Sequence, residues 1–254
     1  MDVPEPRSRS SHLHPRERRT RAPYDVRARC YLLSCVLLVV PVSLSGQGTD
    51  LVFRRIAHEQ GLSQSLVLCL IQEHHVFMWI GTEDGLNRYD GSAFVTHRHD
   101  PLDSNSLSNS YIWSLCEDRR GLLWIGTWGG GLNCYDPVHD TFDRYQHDPD
   151  DSTSIAHDRV TSIREDPDGR LWICTAGGGL DTFDPATKVF THMGSIFGTL
   201  PRAVWKDLFC SEWTKDGALW VGSYFSGLIR IDTRRGTSEL YRHDPRNPYS
   251  ISDN

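Results

Sequence analysis

Four tryptophans, Trp79, Trp124, Trp172 and Trp220, recur 45, 48 and 48 residues apart in this chain of 254 residues. The text around each repeats: MWIGTEDGLNRYD, LWIGTWGGGLNCYD, LWICTAGGGLDTFD and LWVGSYFSGLIRID. A fixed period of this length, built of short apolar runs, marks one supersecondary unit copied several times. A single copy cannot bury its own apolar faces, so the copies must stack on one another.

Aligned on tryptophan, each copy reads as four short strands. The first is VLCLIQE, IWSLCED, VTSIRED or LFCSEWT. A turn follows, closed by Gly121, Gly169 or Gly217, because tight hairpin turns need a residue that tolerates positive φ. In the first copy the same place reads Glu73-His74-His75-Val76, so its turn must differ. The second strand is the LWIGT run, the third GLNRYD, GLNCYD, GLDTFD or GLIRID, the fourth FVTHRH, FDRYQH, FTHM or ELYRH. His-Asp-Pro follows the fourth strand in three copies, at His99, His147 and His243.

Four antiparallel strands per repeat without a helical period predict an all-β chain, a β-propeller. Four four-stranded blades are recognisable, at residues 59–100, 104–148, 152–194 and 202–244, within a propeller region 48–254. Residues 53–58, FRRIAH, match the fourth-strand text FDRYQH, and read as strand d of a closing blade. With five such strands for four sets of the other three, the propeller is expected to be incomplete and open, a piece of a larger protein. The repeat tryptophans are expected as core wedges between blades.

Net charge is −6, and it is unevenly placed. Residues 1–29 hold eight arginines against four acids, a net of +4, which leaves −10 for the rest. An acidic body argues against nucleic acid as a partner. The basic head and the apolar run from Tyr31 to Leu44 have the form of a secretory signal, and the run is shorter than the roughly 20 residues that span a bilayer. Export with cleavage after Ser45 or Gly46 is expected, and residues 1–47 are assigned to this segment; an uncleaved N-terminal anchor is the alternative. Five cysteines follow the signal without C-x-x-C pairing, which speaks against a zinc site or a disulfide framework. Cys69 and Cys210 stand ten residues before a repeat tryptophan, where the other copies have Ser114 and Ser162, and are expected as buried free thiols.

The residues carry no nucleophile motif, no H-E-x-x-H and no phosphate loop. The glycine runs Gly129–Gly131 and Gly177–Gly179 lie between strands, where they bend hairpins. His99, His147 and His243 are one turn position on separate blades, so no metal site is expected, no cofactor and no catalytic residue. Because the first strand ends in the a–b turn, the d–a connectors and b–c bends share the opposite face. On that face stand Glu83, Asp84, Asn109, Trp128, His157, Tyr224 and Phe225. Aromatic rings beside amides and acids suit a polyhydroxylated ligand, with apolar faces for C–H groups and polar atoms for hydroxyls.

The pattern ED-x-x-G-x-LWIGT-x-x-GGL-x-x-YDP, with F-x-x-Y-x-HDP and S-L-S after it, resembles the two-component regulator propeller repeat. Departures are Val76 at the turn glycine, Cys174 in WIGT, and Met193-Gly194 in place of His-Asp. The resemblance implies the ligand-sensing, extracytoplasmic region of a hybrid histidine kinase, whose kinase would lie in a domain absent from this chain. It also implies a carbohydrate or other small soluble ligand, and self-association through propeller edges is a further expectation. Two alternatives stay open: a propeller enzyme, such as a streptogramin-type lyase, and a non-catalytic interaction scaffold.

Overall fold

The computed structural model describes residues 53–253 apart from 54, 75, 76, 195, 198 and 199. The basic head, the apolar run and the expected cleavage point lie outside the described residues, as does Val76. The repeats form four four-stranded antiparallel sheets, each with its strands in sequence order. Blade 1 is β1 (Val67–Gln72), β2 (Met78–Thr82), β3 (Gly85–Tyr89) and β4 (Phe94–His97). Blade 2 is β5 (Ile112–Glu117), β6 (Leu123–Thr127), β7 (Leu132–Asp136) and β8 (Thr141–Tyr145). Blade 3 is β9 (Val160–Glu165), β10 (Leu171–Thr175), β11 (Gly179–Asp184) and β12 (Val189–His192). Blade 4 is β13 (Leu208–Trp213), β14 (Ala218–Ser223), β15 (Gly227–Asp232) and β16 (Thr237–Tyr241). The first strands β1, β5, β9 and β13 approach one another in series from blade to blade. They are therefore the inner strands, and the fourth strand of each blade is outermost. The result is an open propeller arc.

The core is three layers, one between each pair of blades. Trp79 and Leu86 of blade 1 meet Ile112, Ile125 and Tyr135 of blade 2. Trp124 and Leu132 meet Val160, Ile173 and Phe183, and Trp172 and Leu180 meet Leu208, Val221 and Ile229. This stacking explains why the LWIGT runs do not alternate. Every residue of β6 and β10 is buried, because blades 2 and 3 are covered on both sides. In β2 and β14 the burial is partial, because blades 1 and 4 have one neighbour each.

Trp79, Trp124 and Trp172 are the wedges expected, at 1%, 2% and 4% exposure. Each indole N–H donates to an acid six residues earlier, at the a–b turn: Glu73 at 2.7 Å, Asp118 at 3.0 Å and Asp166 at 2.9 Å. The acid thus closes its own turn and satisfies a buried donor, which costs free energy if left unpaired. Blade 4 breaks the rule. Thr214 replaces the acid, and Trp220 is only half-buried, its ring against Tyr241 at 5.4 Å.

Two further expectations are corrected. The described residues of 53–58 form no strand; a 3-10 turn, His58–Gln60, occupies the end of the segment. Among the described residues there is no fifth sheet whose edge it would pair with. Cys210 is an exposed free thiol, whereas Cys69 is partly covered. Cys69 lies under Ile112 of the next blade, its Sγ 4.0 Å from the Ile112 oxygen. Burial pushes its pKa up to about 12. No described strand covers the same position in blade 4.

Candidate functional site

The b–c bends and d–a connectors do share one face. In blade 2 the bend donates from Gly129 N and Gly131 N to the Asp158 oxygen of the next connector, at 3.0 and 2.9 Å. Trp128 N donates to Tyr111 O of its own connector at 2.9 Å. The bend of blade 2 is thereby clamped between two connectors, and its side chains are held at the top of the arc. Gly131 takes φ 78°, and a Cβ there would lie 2.2 Å from Tyr145 O, so glycine is required at this close approach.

At the inner rim of this face stands a continuous row of rings. Trp128 lies 4.7 Å from Trp113 and 6.3 Å from Tyr111, measured between centroids. Trp113 and Trp128 both reach Phe209 of blade 4, at 6.0 and 6.2 Å. Phe209 contacts Tyr224 at 4.9 Å, and Tyr224 contacts Phe225 at 4.5 Å. The Arg159 guanidinium sits over the Trp128 ring, 5.3 Å from its centroid, a cation–π contact.

A backbone device aims the inner rings. Every inner strand has a bulge at one register, between Val67 and Cys69, Ile112 and Ser114, Val160 and Ser162, and Leu208 and Cys210. The residues in the bulge are Leu68, Trp113, Thr161 and Phe209. A bulge adds an unpaired residue and redirects its side chain. In blade 3 Thr161 donates its hydroxyl to Cys174 O and Leu208 O. With a small residue there, the rings of blades 2 and 4 meet across blade 3.

The structure gathers Glu83, Trp128, Tyr224 and Phe225 of the seven sequence candidates along this row. Tyr224 and Phe225 are 57% and 73% exposed and Trp128 is half-buried. Glu83 accepts the Tyr111 hydroxyl at 3.1 Å and Gln64 Nε2 at 3.3 Å. Burial and this bond to a carboxylate raise the Tyr111 pKa, so Tyr111 is a neutral donor. Asp84 points outward to Arg98 at 3.1 Å. Asn109 and His157 occupy one repeat position, each accepting a backbone N–H two residues on, from Tyr111 at 2.8 Å and Arg159 at 3.1 Å. Burial, then Arg159, lowers the His157 pKa. Sequence reasoning missed Tyr111, Trp113 and Phe209. The signal available was an aromatic residue just before the small Ser114 and Cys210.

Two segments, residues 106–129 and 154–177, match the family profile described as two component regulator propeller. Both run from the connector serine through strands a and b into the b–c bend. These are two component regulator propeller repeats. Residues of this chain are 42% identical, over 67 positions, to histidine kinase P4 of Formosa agariphila, a match covering 26% of this chain and 5% of that one. Among solved structures, the chain is similar to the extracellular domain of BT3049 from B. thetaiotaomicron, a protein assigned to the hybrid two component systems. The TM-score is 0.68 and the identity 31%, over 75% of this chain and 26% of that one. The virginiamycin B lyase of Staphylococcus aureus shares the fold, at TM-score 0.51 and 15% identity, over 70% of this chain and 56% of that one. The matched stretches thus cover about a quarter of the BT3049 extracellular domain and 5% of the kinase. Among the described residues no helix is long and apolar enough to cross a membrane.

Proposed function

We propose that this chain is a non-catalytic ligand-sensing module on the extracytoplasmic side of a two-component receptor, one part of a longer protein. The observation that carries the reading is the row of rings at the inner rim, Tyr111, Trp113, Trp128, Phe209 and Tyr224. Rings from two blades meet there, with Glu83 and Arg159 at the edge. Loops set on a rigid scaffold are where binding function concentrates. Flat apolar faces bordered by a few polar groups suit a neutral sugar ring. The similarity to an extracellular domain of a hybrid system supports the receptor role. The lyase supports only the fold. A lyase needs a base and an acid converging on one substrate. Here Glu83 is held by Tyr111 and Gln64, and His157 accepts from Arg159 N on another blade.

Calorimetric titration of neutral oligosaccharides tests the proposal, with Trp128→Ala and Tyr224→Ala beside the wild type. A ligand that stacks on the row loses about fivefold or more in affinity on removal of either ring. Binding that neither substitution weakens places the site elsewhere, and turnover of a bound compound reverses the reading in favour of an enzyme.

A further inference from the structure

Blade 3 departs from its neighbours at three places, and the three converge on one cavity. In blades 1 and 2 a buried asparagine of strand c locks the preceding connector. Asn87 accepts from Ser63 N at 3.0 Å and donates to Ser63 Oγ at 2.8 Å. Asn133 does the same with Ser108, at 2.9 and 2.8 Å. In blade 3 the pair is Asp181 and Ala156. Asp181 accepts from Ala156 N at 2.8 Å, and its other oxygen takes the Nδ1–H of His192, also at 2.8 Å. A neutral amide serves this lock twice in the same fold, so packing did not demand a charge. A fully buried carboxylate is costly unless paired, and His192 on the adjacent strand β12 is the pair.

The second and third departures lie in the next connector. Where His99-Asp100-Pro101 and His147-Asp148-Pro149 follow the fourth strands of blades 1 and 2, the sequence after Gly194 reads Ser-Ile-Phe, and a 3-10 helix, Arg202–Trp205, replaces the serine-rich turn. Between this connector and the b–c bend of blade 3 lies a cavity of about 960 Å³, lined by His147, Gly178, His192, Arg202, Trp205 and Lys206 among others. That volume falls at the upper end of small-molecule sites. Arg202 and Lys206 are exposed, and neither has an ion-pair partner among the described residues. Trp205 is 3% exposed, and its buried Nε1–H has no hydrogen-bond partner. The bond to Asp181 raises the His192 pKa.

We propose that this cavity is an oxyanion site, taking the carboxylate or sulfate ester of a small ligand between Arg202, Lys206 and His192. Guanidinium and ammonium groups form charge-assisted bonds to such oxygens. The anionic group rests on this cavity alone. A sugar body for it rests on the ligand-sensing reading above. The site is distinct from the inner-rim row, which has rings and a bound Arg159 but no such pair of free cations.

The test uses the full chain and three probes: D-glucuronate, D-glucose 6-sulfate and D-glucose. The expected result is binding of at least one of the two anions, weakened about tenfold or more by Arg202→Ala with Lys206→Ala. The anion that binds names the source of the charge. Both side chains are exposed, so the fold survives the change. A second variant, Asp181→Asn with His192→Thr, installs the cross-strand pair that blade 1 carries as Asn87 and Thr96, where Thr96 Oγ1 bonds Asn87 at 3.0 Å. It keeps the lock, removes the imidazole, and is expected to weaken anion binding too. Val138→Ala, at an exposed turn of blade 2 outside both sites, is expected to leave anion binding unchanged. Failure of both anions to bind, or anion binding indifferent to the Arg202 and Lys206 changes, overturns the proposal. Glucose binding that depends on Trp128 without any anion site overturns this inference and spares the inner-rim reading.

Discussion

Asp118 shows how much one turn residue carries. Its carboxylate accepts from Trp124 Nε1, from the backbone of Arg120 and Leu122, and from the Arg120 guanidinium. Burial alone would raise its pKa, but the bonds from Trp124, Arg120 and Leu122 outweigh that and hold it below the usual value. The stabilisation this provides is present above the unfolded carboxylate pKa of about 3.9 and is lost as pH falls through the lower folded value. Asp118→Ala strands a buried indole N–H and two backbone donors, and should cost about 3 kcal/mol in denaturant unfolding at pH 7. The same variant should show a flatter loss of stability on acidification than the wild type. Blade 4 supplies the converse experiment. Thr214 holds the acid's place, with its N–H on Ala218 O and its carbonyl accepting Gly217 N–H, as Asp118 does with Leu122 and Gly121. Thr214→Asp should therefore stabilise by about 1 kcal/mol, and a loss of stability would show that Trp220 cannot adopt the geometry of its three counterparts.

In blade 2 the WIGT glycine cannot carry a side chain, although blade 3 accommodates Cys174 at the same position. A Cβ on Gly126 would lie 2.2 Å from Ser114 Oγ and 2.6 Å from Val160 Cγ1 of the next blade. On Gly222 it would meet only the exposed Cys210 thiol, at 2.6 Å. Gly126→Ala should cost about 3 kcal/mol by forcing blades 2 and 3 apart, and Gly222→Ala less than about 1 kcal/mol. Equal costs would show that the clash lies within a blade and not between blades. Strand order, turn glycines and the tryptophan wedges were legible in the sequence because they recur at fixed spacing and their chemistry is local. The bulge of each inner strand was not, since no residue type marks it, and so Trp113 and Phe209 went unread. Their contact spans 96 residues and depends on Thr161 between them. The Asp181–His192 pair was equally hidden, because its meaning lies in comparison with Asn87 and Asn133, and the hydrogen bonds of those residues are visible only in three dimensions. The strand expected at 53–58 failed for a different reason. Its text matched a strand, but a strand needs an edge to pair with.

At the scale of the whole arc, the two outer faces are unlike the three inner ones. Cys69 and Ile71 of β1 pack toward blade 2, so Leu70, 62% exposed, faces away. Leu219, Val221, Ile229 and Ile231 of blade 4 pack toward blade 3, so Trp220 and Tyr241 face away. Each outer surface is the kind of apolar face that repeat proteins cap or cover. The two are also complementary in kind. Blades 1 to 3 each present a tryptophan to the inner-strand residues of the following blade, and Trp220 is poised to do the same for the face bearing Leu70 on another copy. Such a contact is heterologous, joining different surfaces, so it extends the arc and does not close into a two-fold dimer. The chain on its own is therefore expected to associate with increasing concentration in sedimentation velocity, through species larger than a dimer. Leu70→Lys and Trp220→Lys should each shift the population to monomer, because either one removes half of every contact. Each variant retains one intact face, so a mixture of the two should form dimers and stop there. A wild-type chain that sediments as one monomer at every concentration would refute the contact. A mixture that polymerises as freely as the wild type would place it on other surfaces.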